Sequence, residues 1–129
     1  MDWCRYDEPY ISGYSNTGCL GSFLGSAGEY GCGDDEIVAE ATGGVIHVHH
    51  LNACYYCCPE NIAVTMTVEG NVLHVTETEI TERCRCMCCY TIDSDIEGVE
   101  PGEYLIEYCW YDYGVHGVLC DAVTIMVSG

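Results

Sequence analysis

The sequence predicts an all-β protein: an immunoglobulin-like antiparallel β-sandwich that follows an irregular N-terminal segment clamped by disulfides. Short runs of β-branched and aromatic residues recur from Glu36 onward, and glycine-containing turns separate several of them. No stretch of useful length repeats its apolar residues with a helical period. The 129 residues are enough for one domain to bury a hydrophobic core of its own.

Seven candidate strands follow one another at regular spacing after Glu36. Their sequences are EIVAEA, GVIHVHHL, NIAVTMTV, NVLHVTETEI, CRCMCCYTI, GEYLIEYCWY and HGVLCDAVTIMV. The turn signals between them are TGG at 42–44, EGN at 69–71 and EPG at 100–102. Short strands at this spacing are typical of an immunoglobulin-like sandwich.

The segment at 62–68 alternates as a strand with one buried face should. The residues of its apolar face are Ile62, Val64, Met66 and Val68. The residues between them, Ala63, Thr65 and Thr67, form the opposite face. One buried and one wet face is what a sandwich strand needs, whereas a doubly buried parallel strand is apolar throughout.

Residues 1–35 differ from residues 36–129, which form the predicted sandwich domain. They are rich in glycine and serine and show no sustained period, so we expect irregular structure clamped by Cys19 and Cys32, with Cys4 tying down the terminus. The first ten residues lack the basic and apolar regions of a signal peptide, so either the chain is cytosolic or a leader was removed. The cysteine usage favours the removed leader. No apolar run approaches a membrane span, which predicts that the chain is not membrane-integral.

The charge balance limits the partners that this chain can have. It carries 21 acidic residues, no lysine and only the arginines Arg5, Arg83 and Arg85, for a formal net charge of −18. Nucleic acids are bound by neutralising their phosphates with basic residues, so this surface would repel them. The same negative field favours solubility and attracts cations.

Twelve cysteines in a chain of this length indicate an oxidising compartment. In a reducing cytosol so many thiols would need a metal to explain them. An even cysteine number is typical of a disulfide framework, which predicts an extracellular or cell-surface location.

Two resemblances support the β architecture, and the second of them also implies an exported location. The residues Ile96, Gly98, Val99, Pro101, Gly102 and Tyr104 look like the G-L-x-P-G-x-Y corner of fibronectin-like and related extracellular sandwiches. Residues 45–120, with IHVHH, CYYCCPENIAV, CRCMCCYTI and PGEYLIEYCWYDY in this order, are similar to uncharacterised cysteine-rich proteins predicted to be exported by bacteria. The resemblance implies export and β architecture, and it implies no catalytic residue.

The stretch TERCRCMCCY at 81–90 holds the densest group of thiols. On a strand, Cys84, Cys86 and Cys88 share one face and Cys89 takes the other. Neighbours on one face lie about 6.5–7 Å apart, too far to bridge one another without distortion. Each thiol must therefore face another segment. The nearest other cysteines in the sequence lie in NACYYCCPE at 52–60, where a bulge would direct adjacent cysteines to both faces of the strand.

Two interpretations of these thiols stay open. In the structural one, Cys57 and Cys58 form disulfides with members of the 84–89 group. In the other, thiolates join imidazoles to bind Zn²⁺ or Cu⁺. The ligands of that site would be His47, His49, Cys57, Cys58, Cys84, Cys86 and Cys88. His50 falls on the opposite strand face from His47 and His49.

Cys109 and Cys120 flank a short turn, so we expect them to bridge two strands of a hairpin. The chain has no nucleophile elbow, zinc-protease pair or phosphate-binding loop, so we predict that it is not an enzyme. The predicted function is a secreted structural or binding module, with self-association or an extracellular protein as its partner. The alternative is a zinc- or copper-binding protein that uses the cysteine and histidine cluster.

Overall fold

The computed structural model describes residues 8–23, 32, 34–57, 62–80, 87–112 and 117–128, and these residues form β-strands joined by turns. The strands of the described part are β1 (Tyr10–Asn16), β2 (Gly21–Phe23), β3 (Glu36–Thr42), β4 (Val45–Tyr56), β5 (Ile62–Glu69), β6 (Val72–Glu79), β7 (Met87–Glu97), β8 (Gly102–Asp112) and β9 (Gly117–Val127). The prediction of an all-β fold is confirmed. Strands β3 to β9 correspond in order to the seven predicted segments.

The strands form two sheets. Sheet I has the order β1-β7-β4-β3, and β2 also pairs with β7. Sheet II has the order β5-β6-β8-β9. A single core cluster takes buried side chains from both sheets, so their inner faces pack against each other.

One strand pair departs from the antiparallel arrangement that the sequence predicts. Strands β6 and β8 are parallel, whereas the other pairings of the described strands are antiparallel. Between β6 and β8 the chain passes through β7, which lies in the opposite sheet. The chain therefore returns to sheet II in its original direction, which a parallel pair requires.

The N-terminal segment is more regular than its composition indicates. The expectation of irregular structure is wrong at Tyr10–Asn16 and Gly21–Phe23, which pair with β7 as β1 and β2. The free edge of β7 supplies main-chain partners, and this pairing does not need a periodic apolar pattern. The rest of the 1–35 prediction lies mostly outside the described residues, and the division at residue 35 stays a prediction.

The core follows the alternation of the strands. Its largest fully buried side chains include Tyr55, Tyr90 and Tyr108, one from each of three central strands. In β5, Ile62 and Val64 are buried. This confirms the apolar face predicted for residues 62–68 in the first half of the strand. No helix in the described part of the chain is long and apolar enough to cross a membrane.

A bulge in β4 decides which cysteines face the core. The register between β4 and β7 shifts between His50 and Ala53, where Asn52 takes a positive φ of 62°. Without the extra residue, strict alternation would continue the buried face of His50 through Asn52 and Cys54. The bulge instead turns Ala53 and Tyr55 inward and leaves Cys54 on the other face.

Gly98 allows the chain just before β1 to pack closely against the end of β7. Its φ is +76°, and a Cβ atom added there would lie 2.7 Å from the main-chain oxygen of Glu8. Gly70 has a similar φ of +64°, but nothing lies within 4 Å of the added atom. An alanine at Gly70 therefore meets only the cost of a left-handed backbone, whereas an alanine at Gly98 also meets a steric clash.

We predict that Gly70→Ala lowers the free energy of unfolding by about 1 kcal/mol, the cost of a left-handed residue that has a side chain. Gly98→Ala should cost roughly 2 kcal/mol more, because β1 must also move away from β7. Urea denaturation of both variants with disulfides intact measures the difference. Equal losses would show that the segment before β1 is not packed on Gly98.

Candidate functional site

The cysteines and buried charges gather at one end of the molecule, where β4, β6 and β8 finish and β3, β7 and β9 begin. The antiparallel register of β4 and β7 places Cys54 opposite Cys89 and Tyr55 opposite Cys88. In β7, Cys88 is buried with the core residues and Cys89 takes the outer face. This confirms the opposite orientation that the sequence predicts for Cys88 and Cys89.

Two disulfides fasten the N-terminal segment to β7 at this end. Cys19 is bridged to Cys88 with a Cα–Cα distance of 5.2 Å, and Cys32 is bridged to Cys89 at 5.4 Å. Both distances lie in the usual range for disulfides. The predicted role of Cys19 and Cys32 as clamps is confirmed, and adjacent cysteines of β7 are the anchors for both.

The third described disulfide joins Cys109 to Cys120, which face each other across β8 and β9. The pairing predicted from their hairpin positions is confirmed. Its Cα–Cα distance is 4.0 Å, and the loop that it closes spans 11 residues. This bridge lies on the outer face of sheet II, away from the other two.

A cluster of three sulfur atoms forms where β4 and β7 meet the N-terminal segment. The Sγ atoms of Cys19, Cys57 and Cys88 all lie within 4.8 Å of one another. The distance from Cys57 Sγ to Cys88 Sγ is 2.7 Å. The structure therefore brings together Cys57 and Cys88 of the predicted set and adds Cys19. The predicted residues Cys58, Cys84 and Cys86 lie outside the described residues.

The two predicted histidine ligands lie on the opposite face of the same sheet. Nδ1 of His47 is 2.7 Å from Asp95, and Nδ1 of His49 is 2.6 Å from Asp93. These carboxylates belong to β7, directly opposite on the outer face of sheet I. Among the described residues, the group of closely spaced potential metal ligands consists of cysteines and contains no histidine. The geometry thus separates the imidazoles from Cys57 and Cys88.

Cys54 is a free thiol with little reactivity. Burial is the largest influence on it and raises its pKa to about 11, and the negative charges of Asp35, Asp112 and Glu79 add to the effect. At neutral pH this thiol is protonated. A protonated thiol is neither a good nucleophile nor a good metal ligand, so Cys54 has the character of a packing residue.

A buried network of charges crosses the core beside these cysteines. Fully buried His50 lies between two carboxylates, with Nδ1 2.7 Å from Glu77 and Nε2 2.8 Å from Asp35. The hydroxyl group of Tyr55 donates to Glu77 at 2.7 Å, and that of Tyr108 donates to the same carboxylate. His50, Glu77, Tyr55 and Tyr108 thereby all have hydrogen-bond partners, as burial of charge requires.

The network makes His50 a buried cation. Burial alone would lower the pKa of His50, but hydrogen bonds and charges from Asp35 and Glu77 outweigh it and raise the pKa to about 9. The pKa values of Tyr55 and Tyr108 are raised, first by burial and then by the Glu77 charge, so both phenols stay protonated as donors. The arrangement holds two opposed carboxylates together through one imidazolium.

The alternation of the sequence places His50 on the opposite face from His47 and His49, but it does not identify Glu77 as its partner. A signal for Glu77 exists in β6, because Leu73, Val75 and Glu77 share one strand face. An acidic residue in the register of buried apolar residues indicates a paired core carboxylate. The partner could not be read from the sequence, since His50 and Glu77 belong to different sheets.

Comparison with protein-family models, with curated proteins and with solved structures found no match for this chain.

We predict that Glu77→Gln lowers the free energy of unfolding by about 3–5 kcal/mol, because it leaves a buried imidazolium and two tyrosine hydroxyls around a neutral amide. The matched control is Glu107→Gln, whose carboxylate contacts His74 at 2.7 Å near the surface. Little change is expected there, because solvent screens such pairs. Urea denaturation compares the variants, and equal losses would contradict the stabilising role of the network.

Stability should also fall with rising pH. The unfolded pKa of His50 is 6.5 and the folded pKa is about 9, so the folded state binds the proton more tightly. The contribution is complete below pH 6.5 and is lost as the pH rises through 9, by up to about 3 kcal/mol. Denaturation at pH 6, 7.5 and 9 measures the loss, and His74→Gln should retain it. A flat profile over this range would show that His50 is neutral in the fold.

Proposed function

We propose that this protein is an extracellular or cell-surface module, stabilised by disulfides, that acts in structure or binding and not in catalysis. The observation that supports this most is the pair of bridges Cys19–Cys88 and Cys32–Cys89, which fasten the N-terminal segment to the central strand of sheet I. Such cross-links persist in oxidising compartments and are rare in the cytosol. They join parts of the chain that are 69 and 57 residues apart in sequence.

The chemistry of the sulfur atoms favours the structural role over the metal-binding one. Oxidised sulfurs of Cys19 and Cys88 cannot coordinate a metal as thiolates, and Cys54 stays protonated at neutral pH. The histidines on the outer face of sheet I are already paired with carboxylates. A cross-linked scaffold requires no change in the oxidation state of these sulfurs or in the hydrogen-bond partners of these histidines.

The immunoglobulin-like character of the fold is part of the proposal. The hydroxyl of Tyr104 accepts the main-chain N–H of Glu100 at 2.9 Å and donates to its carbonyl at 2.8 Å. A tyrosine that bonds back to the main chain a few residues upstream is a feature of the corner in such sandwiches. The parallel β6–β8 pair departs from the usual two antiparallel sheets.

The proposed partner is an extracellular protein. The net charge of −18 opposes self-association at low ionic strength, and the absence of lysine opposes binding to nucleic acid. A partner with a basic surface would instead be attracted over a distance comparable to the Debye length.

A second function, binding of zinc or copper, is favoured by one observation. The three sulfurs of Cys19, Cys57 and Cys88 converge within 4.8 Å, which is close enough to share one ion. Such a site would form only after both the Cys19–Cys88 bridge and the disulfide of Cys57 are reduced, because thiolates are the ligands. Metal binding would therefore belong to a reduced form of the protein.

Two melting experiments separate these functions. In the proposed scaffold, a chelator leaves the melting temperature unchanged and a reductant lowers it, since removal of a native disulfide typically costs about 2–5 kcal/mol. In a metal protein, the chelator lowers it and elemental analysis finds stoichiometric zinc or copper. Recovery of Cys19, Cys32, Cys88 and Cys89 as alkylated thiols from unreduced protein would overturn the proposal.

A further inference from the structure

Sheet II divides into two hairpins at the end of the molecule that carries the buried charges. The parallel pairing of β6 with β8 ends at Thr76 and Cys109. Beyond this point β6 continues to Glu79 beside β5, and β8 continues to Asp112 beside β9. The two parallel strands therefore separate while each keeps its outer partner.

A groove of about 310 Å³ lies where the strands separate. The residues that line it are Thr76, Glu77, Thr78, Glu79, Trp110, Tyr111 and Val118. Sites for small molecules usually occupy about 300–1,000 Å³, so this groove is at the lower end of that range. It has room for one large side chain and not for an extended organic ligand.

The chemistry of the groove selects for a cation with an apolar stem. Two of the lining residues, Glu77 and Glu79, are acidic, and none is basic. The single imidazolium of His50 is shared between Glu77 and Asp35, and Glu79 accepts the main-chain N–H of Tyr56 at 2.9 Å. Asp112, at the end of the same strand as Trp110, adds a negative charge that acts on Asp35. Aromatic rings attract guanidinium and ammonium groups, and they pack against aliphatic stems.

Trp110 adds a requirement that a simple amine cannot meet. Its side chain is 6% exposed, and its Nε1 atom is buried without a hydrogen-bond partner among the described residues. An unmet buried donor is costly, and an oxygen acceptor from a ligand would remove that cost. A peptide offers carbonyl oxygens beside a basic side chain, so it supplies both the acceptor and the cation.

We infer that the groove is a binding site for an arginine or lysine side chain in an extended segment of a partner protein. The basic head group faces the Glu79 side of the groove, its stem packs on Trp110 and Val118, and a main-chain carbonyl of the segment accepts from Trp110. The negative field of the whole chain favours the encounter. This site gives the proposed binding module a specific ligand class, but the disulfide scaffold does not depend on it.

The test compares two blocked peptides of sequence glycine-serine-X-serine-glycine, with arginine or its neutral isostere citrulline at X. Titration of ¹⁵N-labelled protein with intact disulfides should shift the amide signals of Thr78, Trp110 and Val118. The arginine peptide should bind at least roughly tenfold more tightly, as expected for one hydrogen bond to a charged group. Equal binding of the two peptides would overturn the inference.

Two pairs of variants control for general charge effects. Glu79→Gln should weaken binding of the arginine peptide by roughly tenfold, while Glu103→Gln, at the far end of β8, removes the same charge with little effect. Val118→Lys should block the groove, whereas Met126→Lys on the same strand should not. Val118 and Met126 are 68% and 61% exposed, so neither change should prevent folding. Equal weakening within either pair would show non-specific attraction and reject the site.

Arg83 and Arg85 follow β6 closely in sequence and are rival occupants. Their contribution is tested with the double variant Arg83→Gln/Arg85→Gln. If the arginine peptide binds the wild-type protein and this variant alike, the groove serves a partner. If only the double variant binds the peptide, the chain's own arginines fill the groove and the partner is excluded.

Discussion

The rest of the structure depends on the central position of β7 in sheet I. Strands β1, β2 and β4 all pair with it, so it supplies main-chain partners on both of its edges. Its inner face carries Cys88, Tyr90 and Ile92 into the core, while Cys89 points outward. Adjacent cysteines of opposite orientation therefore allow one strand to anchor two disulfides. The N-terminal segment, which has little apolar pattern of its own, is held by this strand through both hydrogen bonds and covalent bonds.

The buried charge network is the second constraint, and it joins the two sheets. His50 belongs to sheet I and Glu77 to sheet II, so their contact at 2.7 Å crosses the core. An ion pair in this position is costly to desolvate, and an apolar pair of similar size would often be equally stable. The network instead fixes the relative positions of the strands. The carboxylate of Glu77 on β6 takes its hydrogen-bond donors from β4 and β8, so it is satisfied only when these three strands pack together in this arrangement. The bulge at Asn52 follows directly after His50 and sets the faces of the next residues.

These two constraints meet at the end of the molecule where function is proposed. Disulfides fix the N-terminal segment whose strands pair with β7 in sheet I, and the network contacts strands that border the groove in sheet II. The groove exists because the parallel pair β6–β8 ends at Thr76 and Cys109 while the outer pairings continue. A rigid surround of this kind lets a small acidic and aromatic groove keep its shape before a ligand arrives, which lowers the cost of binding.

The sequence by itself determined the properties that depend on neighbouring residues. The alternation in IAVTMTV gave the faces of β5, the spacing of HVHH separated His50 from His47 and His49, and the short turn between Cys109 and Cys120 gave their bridge. Only the tertiary structure decided the parallel β6–β8 pair, the partners of Cys19 and Cys32, and the contact of His50 with Glu77. A strand's side-chain period is a local property of the chain, whereas these contacts join residues brought together by sheet order and by the bulge at Asn52, which no local pattern specifies.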